Sequence, residues 1–301
     1  MSRFHHIIFI IYYLLLPSIA FSDQVIDQAG RTVELPAEIN RVVSLAPSIT
    51  EVVYSLDKES VLKGATMYSD DPPEALLLPR VGSYVRLDVE KIIALRPDLC
   101  LAIRDGNPLH TITKIESLGI PVYVIDPKSL EGIMAMIIGL GDVLGATDRA
   151  HEITADMQRR IATVSDKLVG TDIRPKVFFQ IDAEPIVSAG NNTFIDELIT
   201  KAGGRNLAAG VGIAAYPKFS WEDVLGFQPD VAIVASMAGG FSVDSLRAGW
   251  QRWPQIPAVK NNRVHVVEAG LVDRPTPRLV DGLETFARII HPELFGEILA
   301  D

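Results

Sequence analysis

A single cysteine stands in the 301 residues, so the chain can build neither a disulfide framework nor a thiol metal site. That residue, Cys100, lies inside the apolar stretch Leu99-Cys100-Leu101-Ala102, where a lone thiol serves as a small core side chain. The histidines beyond the N-terminal segment, His110, His151, His265 and His291, stand apart from one another, which argues against a centre built from several imidazoles. Only His110 falls where a loop after a strand could bring it to a ligand. The chain also lacks a G-x-S-x-G elbow, a Walker loop, an H-E-x-x-H pair and a C-x-x-C pair. These absences weaken an enzymatic reading; what is left of it is acid–base chemistry by a carboxylate such as Asp70 or Asp182. Basic residues are outnumbered, 28 against 38 acids, and a net charge of −10 does not suit a nucleic-acid partner.

What is present begins at the N-terminus. Arg3, an apolar run over residues 7–16, Pro17, and the small residues Ala20 and Ser22 follow the order of a secretory signal peptide. The predicted cut falls between Ser22 and Asp23. The run is well short of the roughly 20 apolar residues of a membrane-spanning helix. No cysteine adjoins the cut, so lipid anchoring is excluded and a soluble, periplasmic product is expected.

An internal repeat dominates the remainder. Residues 89–102 read closely onto residues 221–234, each copy being a short amphipathic helix that opens at a glutamate, a Pro-Asp stop and an apolar strand. Apolar strands next to helices describe a parallel sheet covered on both faces, and two copies imply two lobes of one design. Further strands are predicted at 41–45, 61–65, 122–125, 176–180 and 264–267. Between the lobes a helical tract over 129–168 breaks near Gly145. Its second half sets Ala150, Ile153, Met157, Ile161, Val164 and Leu168 on one stripe, a rod of about 33 Å. The expected fold is α/β: two Rossmann-like lobes, residues 23–128 and 175–301, joined through residues 129–174 by one long rigid helix, with a ligand cleft between them. A helical strut of this kind predicts little opening and closing.

Aromatic residues make up only 7% of the chain, yet several fall in loops. Tyr68 precedes the stiff Asp71-Pro72-Pro73 turn, Tyr84 stands on the next loop, and Tyr216 and Trp221 occupy the corresponding region of the second lobe. Loops at the carboxyl ends of α/β strands bind ligands, and exposed aromatics there form binding surface; the alternative is burial of each ring in its own lobe. Glu90 and Glu222 open equivalent helices. Charge at a helix N-terminus accounts for about 0.3–1 kcal/mol in each. Retention of the acid in both copies also suits docking to a two-fold symmetric, basic partner.

Four segments carry a family resemblance: residues 41–51 (Arg41-Val42-Val43-Ser44-Leu45-Ala46-Pro47-Ser48-Ile49-Thr50-Glu51), 90–98 and 222–230, and Arg274-Pro275-Thr276-Pro277-Arg278. Over nearly all of residues 23–301 the chain resembles the cobalamin- and iron-siderophore-type periplasmic binding proteins of ABC importers. Tyr68-Ser69-Asp70-Asp71-Pro72-Pro73-Glu74-Ala75 and Ile103-Arg104-Asp105-Gly106-Asn107 bring it nearest to the members that bind cobalamin. The resemblance implies a monomeric binding protein without catalysis or a catalytic cofactor. It sets Tyr68, Tyr84 and Tyr216 against a corrin ring and pairs Glu90 and Glu222 with arginines on the importer's transmembrane subunits. The chain departs from the pattern at Tyr84, where a tryptophan is usual, at Ile103, which replaces an aromatic, and at Gly270-Leu271-Val272, which replaces an acid-plus-aromatic run. Haem, held by an axial Tyr or His, and a ferric siderophore, held by arginines such as Arg86, Arg104, Arg274 and Arg278, are the alternative ligands.

Overall fold

An antiparallel ribbon begins the described chain, β1 (Asp23–Ile26) against β2 (Thr32–Leu35), with Val33 and Leu35 turned inward and Thr32 and Glu34 outward. The computed structural model describes residues 23–235 and 242–296, so the expected signal peptide lies outside the described residues. Next come β3 (Val42–Ser44), α1 (Pro47–Ser55), β4 (Leu62–Gly64), a hairpin of β5 (Gly82–Ser83) and β6 (Arg86–Leu87), α2 (Val89–Ala94), β7 (Leu99–Ile103), α3 (Leu109–Ser117) and β8 (Val122–Ile125). Four of these strands form a parallel sheet in the order β4-β3-β7-β8.

Two helices then lead to the second lobe. α4 (Leu130–Leu144) starts at Ser129, whose hydroxyl caps Gly132 N, and stops at Gly145 with φ 65°, a left-handed cap that glycine adopts without strain. α5 (Thr147–Lys167) is 21 residues long. The rest comprises β9 (Lys176–Gln180), β10 (Asp182–Ala183), β11 (Ile186–Val187), α6 (Phe194–Lys201), β12 (Arg205–Asn206), β13 (Lys218–Phe219), α7 (Trp221–Phe227), β14 (Val231–Val234), α8 (Val243–Gln251), α9 (Pro257–Lys260), β15 (Val264–Val266), α10 (Leu279–Ile290) and α11 (Pro292–Phe295). Its four-stranded parallel sheet runs β12-β9-β14-β15. In both sheets the lobe's first strand lies between its second and third, so the repeat seen in the sequence is a repeat of topology.

Local chemistry explains why the repeated segment folds alike twice. Each helix ends in a left-handed residue, Arg96 or Gln228, both at φ 47°, because the following proline cannot continue a helix. The aspartate after each proline then ties the new strand to the lobe's first. Asp98 N donates to Arg41 O at 2.8 Å and its carboxylate accepts from Asn40 N at 2.9 Å. Asp230 N donates to Lys176 O at 2.9 Å and its carboxylate accepts from Lys176 N at 2.8 Å.

Packing joins the lobes. One face of the first sheet, with Val43, Cys100, Ala102 and Val122, packs on Ile92, Ile112 and Ile115. Burial pushes the Cys100 thiol up to about 12, which leaves it an inert core residue. On the other face, Val42, Leu99 and Leu101 belong to a core that continues through Ile133, Met136 and Ile137 of α4 and Met157 and Val164 of α5. From there it reaches Val177, Phe179, Ile233, Leu283 and Phe286 of the second lobe. The helical strut is therefore part of one apolar mass shared by both lobes, and hinge motion at this seam exposes apolar area at roughly 25 cal/mol per Å². The predicted stripe of α5 turns inward, with Ala150, Met157, Val164 and Leu168 buried and Ile153 and Ile161 packed beside them.

Candidate functional site

Between the lobes, the wall on the first-lobe side is built from three loops. Arg80 donates to the carbonyls of Thr66, Ser69 and Ala75, and the hydroxyls of Thr50, Thr66 and Ser69 meet in a buried network at 3.0 Å. This frame holds the loop from which Tyr68 projects, 56% exposed. Tyr84 sits at the tip of the β5–β6 hairpin, which needs Gly82 at φ 101° because a Cβ there would lie 2.4 Å from Arg86 O. Its half-buried ring covers Gly106 of the loop after β7.

Tyr216, on the loop before β13, stands on the second-lobe side. Burial, Asp105, Asp273 and Tyr84 together push its phenol up to about 12, so the ring is a neutral hydrogen-bonding group. Asp105 and Tyr84 belong to the first lobe and Asp273 to the second, so Tyr216 marks the place where the lobes face each other. The Asp273 carboxylate is buried with both oxygens unpartnered, and burial raises its pKa to about 7 against the pull of Arg274.

Arginines of the second lobe cross to acids of the first. The Arg274 guanidinium donates to Asp70 Oδ1 at 2.8 Å and to Tyr68 O at 3.2 Å. Arg278 contacts Asp71 and donates to Glu268 at 3.3 Å. Between them lies Glu51, buried on α1, with Arg278 at 3.7 Å and Arg274 at 3.9 Å. Burial raises its pKa, offset in part by Thr276 and these two arginines.

Two predicted ligand contacts have other partners. Trp221 packs edge-on against Trp250, ring centres 5.3 Å apart, and lies 5.8 Å from Trp253, so the second lobe's own aromatic cluster accounts for it. Arg104 is exposed and pairs with Asp126 at 3.4 Å, next to Lys128 on the same carboxylate. His110 is exposed on α3. Glu90 and Glu222 occupy the same second position of α2 and α7, while Asp88 and Ser220, not the glutamates, cap those helices. Both acids are exposed, with no ion pair to any described residue. A surface recess of about 550 Å³ at the start of α5 shares no residue with this site, and its Asp57 and Arg149 already pair at 3.2 Å. Among the described residues, no group of three or more His, Cys, Asp or Glu side chains could hold a metal ion.

A sequence profile described as periplasmic binding protein matches residues 42–269. The chain belongs to the periplasmic binding protein family. It is 32% identical over 243 residues to the vitamin B12-binding protein of Vibrio campbellii, covering 81% of this chain and 86% of that protein. The crystal structure of the periplasmic vitamin B12 binding protein BtuF of Vibrio cholerae superposes with a TM-score of 0.75 at 29% identity, over 84% of this chain and 96% of that one. A periplasmic heme-binding protein from Pseudomonas aeruginosa superposes with a TM-score of 0.77 at 27% identity, over 85% and 94% of the two chains. As a member of this family the chain is a binding protein and not an enzyme. No helix among the described residues is long and apolar enough to cross a membrane. Sequence reasoning missed Asp105, Asn107 and Asp273 as site residues, although all three lie inside or beside segments that carry the family resemblance.

Proposed function

We propose that the protein, exported and cleaved near Ser22, holds a corrinoid between its lobes and delivers it to the transmembrane subunits of an ABC importer. One observation carries the ligand class: aromatic rings from opposite lobes, Tyr84 and Tyr216, stand with an acceptor-rich surround in which Asp273 is buried and unpartnered. A corrinoid is a broad, mostly apolar plate fringed with amides, and amide N–H groups satisfy such acceptors. Haem brings anionic propionates instead, which Asp105 repels. The heme-binding relatives keep haem as the second reading, with Tyr68 or Tyr84 as the axial donor.

Calorimetric titration of the mature protein with cyanocobalamin, and with haem in parallel, separates the two. One-to-one binding of cyanocobalamin is expected, weakened more than tenfold, about 1.4 kcal/mol, by Tyr68→Ala with Tyr84→Ala. Silence with cyanocobalamin and binding of haem would overturn the corrinoid reading.

Asp273 gives the site a pH signature. A carboxyl that ionises near 3.8 when unfolded and near 7 when folded costs the native state progressively as pH rises through that window. The ligand-free protein should therefore lose stability between about pH 4 and 7, by at most about 1.4 kcal/mol per pH unit from this group, and level off above. Asp273→Asn should flatten that limb in denaturant titrations run across pH; an unchanged slope would mean the carboxylate is hydrated. Donors on a bound ligand favour the charged form, so binding near pH 6 should release protons to the buffer.

A further inference from the structure

In doubly wound sheets the crevice for ligands opens where the strand order reverses, which in the first lobe is between β3 and β7. Here that crevice is filled by a side chain of the protein. Asn107 is buried, and its amide is fully used: Oδ1 accepts from Ile103 N at 2.8 Å, while Nδ2 donates to Leu45 O at 2.9 Å and to Tyr84 O at 2.7 Å. The three partners are the exits of β7 and β3, already tied by Leu45 N to Leu101 O at 2.9 Å, and the tip of the β5–β6 hairpin, which among the described residues has no other hydrogen bond to either exit. Beside it Gly106, at φ 136°, lies under the Tyr84 ring, where a Cβ would stand 2.6 Å from Cδ2 and 2.7 Å from Cε2.

We propose that Asn107 is the positioning residue of the cleft: without touching the ligand, it holds the Tyr84 backbone at the angle that presents the ring, over a floor kept open by Gly106. This rests on the cleft reading above. Only an amide fits the role. Two carbonyls face Nδ2 and one N–H faces Oδ1, so aspartate keeps the acceptor but turns lone pairs on both carbonyls.

A double-mutant cycle tests this, with cyanocobalamin as the probe. Asn107→Asp should weaken binding about tenfold in the native background and hardly at all when Tyr84→Ala is already present. Equal weakening in both backgrounds would overturn the proposal, because the loss would then come from general damage to the lobe. If Tyr84→Ala weakens binding and Asn107→Asp does not, the cleft stands and the positioning role falls. If Tyr84→Ala itself has no effect, the cleft reading fails and takes this proposal with it. A ligand-free readout runs beside the cycle: in protein labelled with 3-fluorotyrosine, Asn107→Asp should shift the Tyr84 fluorine signal and leave that of Tyr123 in place. An unmoved Tyr84 signal overturns the proposal whatever the protein binds. Gly106→Ala, measured in the same two ways, serves if Asn107→Asp does not fold; there the Tyr84 signal should move and the coupling persist.

Discussion

If the proposed docking role holds, reversing Glu90 and Glu222 together, Glu90→Arg with Glu222→Arg, is expected to abolish stimulation of an importer's ATPase while cyanocobalamin affinity stays within twofold of the native value. The reasoning is geometric. Both side chains stand at the second residue of equivalent helices, exposed, with no ion pair to any described residue and with the helix caps supplied by neighbours. Helix capping therefore does not require them, and their reversal leaves Asp88, Ser220 and Asp223 in place. Charges so placed steer and register an encounter with a basic partner, so each single reversal should leave part of the stimulation, more visibly at low salt. The measurement is ATP turnover by the importer in vesicles with purified receptor. A fall in ligand affinity instead of turnover would move these acids from the docking face to the ligand site.

The second large effect belongs to Glu51. Removing its cations with Arg274→Ala and Arg278→Ala leaves a buried carboxylate uncompensated, and a loss of about 3 kcal/mol or more in unfolding free energy is expected. Glu51→Gln in that background should recover much of the loss, since an amide is far cheaper to bury than an unpaired charge. Failure of that rescue would assign the cost to the exposed Asp70 and Glu268 and the half-buried Asp71, each worth at most about 1 kcal/mol.

Much of the architecture was legible because it is local. The helix, Pro-Asp stop and strand of residues 89–102 and 221–234 announce themselves by spacing, and the stripe of α5 by its period. Tyr84 and Tyr216 could be named as candidates because both are aromatics in loops. That Trp221 belongs to a cluster with Trp250 and Trp253 could not, since Trp250 and Trp253 lie about thirty residues further on and are brought back only by α8. Arg104 could be named as a candidate ligand donor, but not its partner Asp126, which arrives from the end of a neighbouring strand. Asp273 and Glu51 were invisible for a related reason: a carboxylate's burial depends on which surface the other lobe presents, and that is decided by the strut. Short strands such as β10, β11 and β13, two residues each, carry too little pattern to be read at all.

The apolar mass that runs from the first sheet through α4 and α5 into the second has a consequence for traffic. A carrier with a common core in both halves is expected to keep nearly one outline, laden or vacant. On the proposed delivery role its destination would then meet vacant carriers that fit the dock as well as laden ones, and they would compete for it. Throughput follows the laden fraction of the population rather than the number of carriers, so making more of this protein when cargo is scarce would slow delivery.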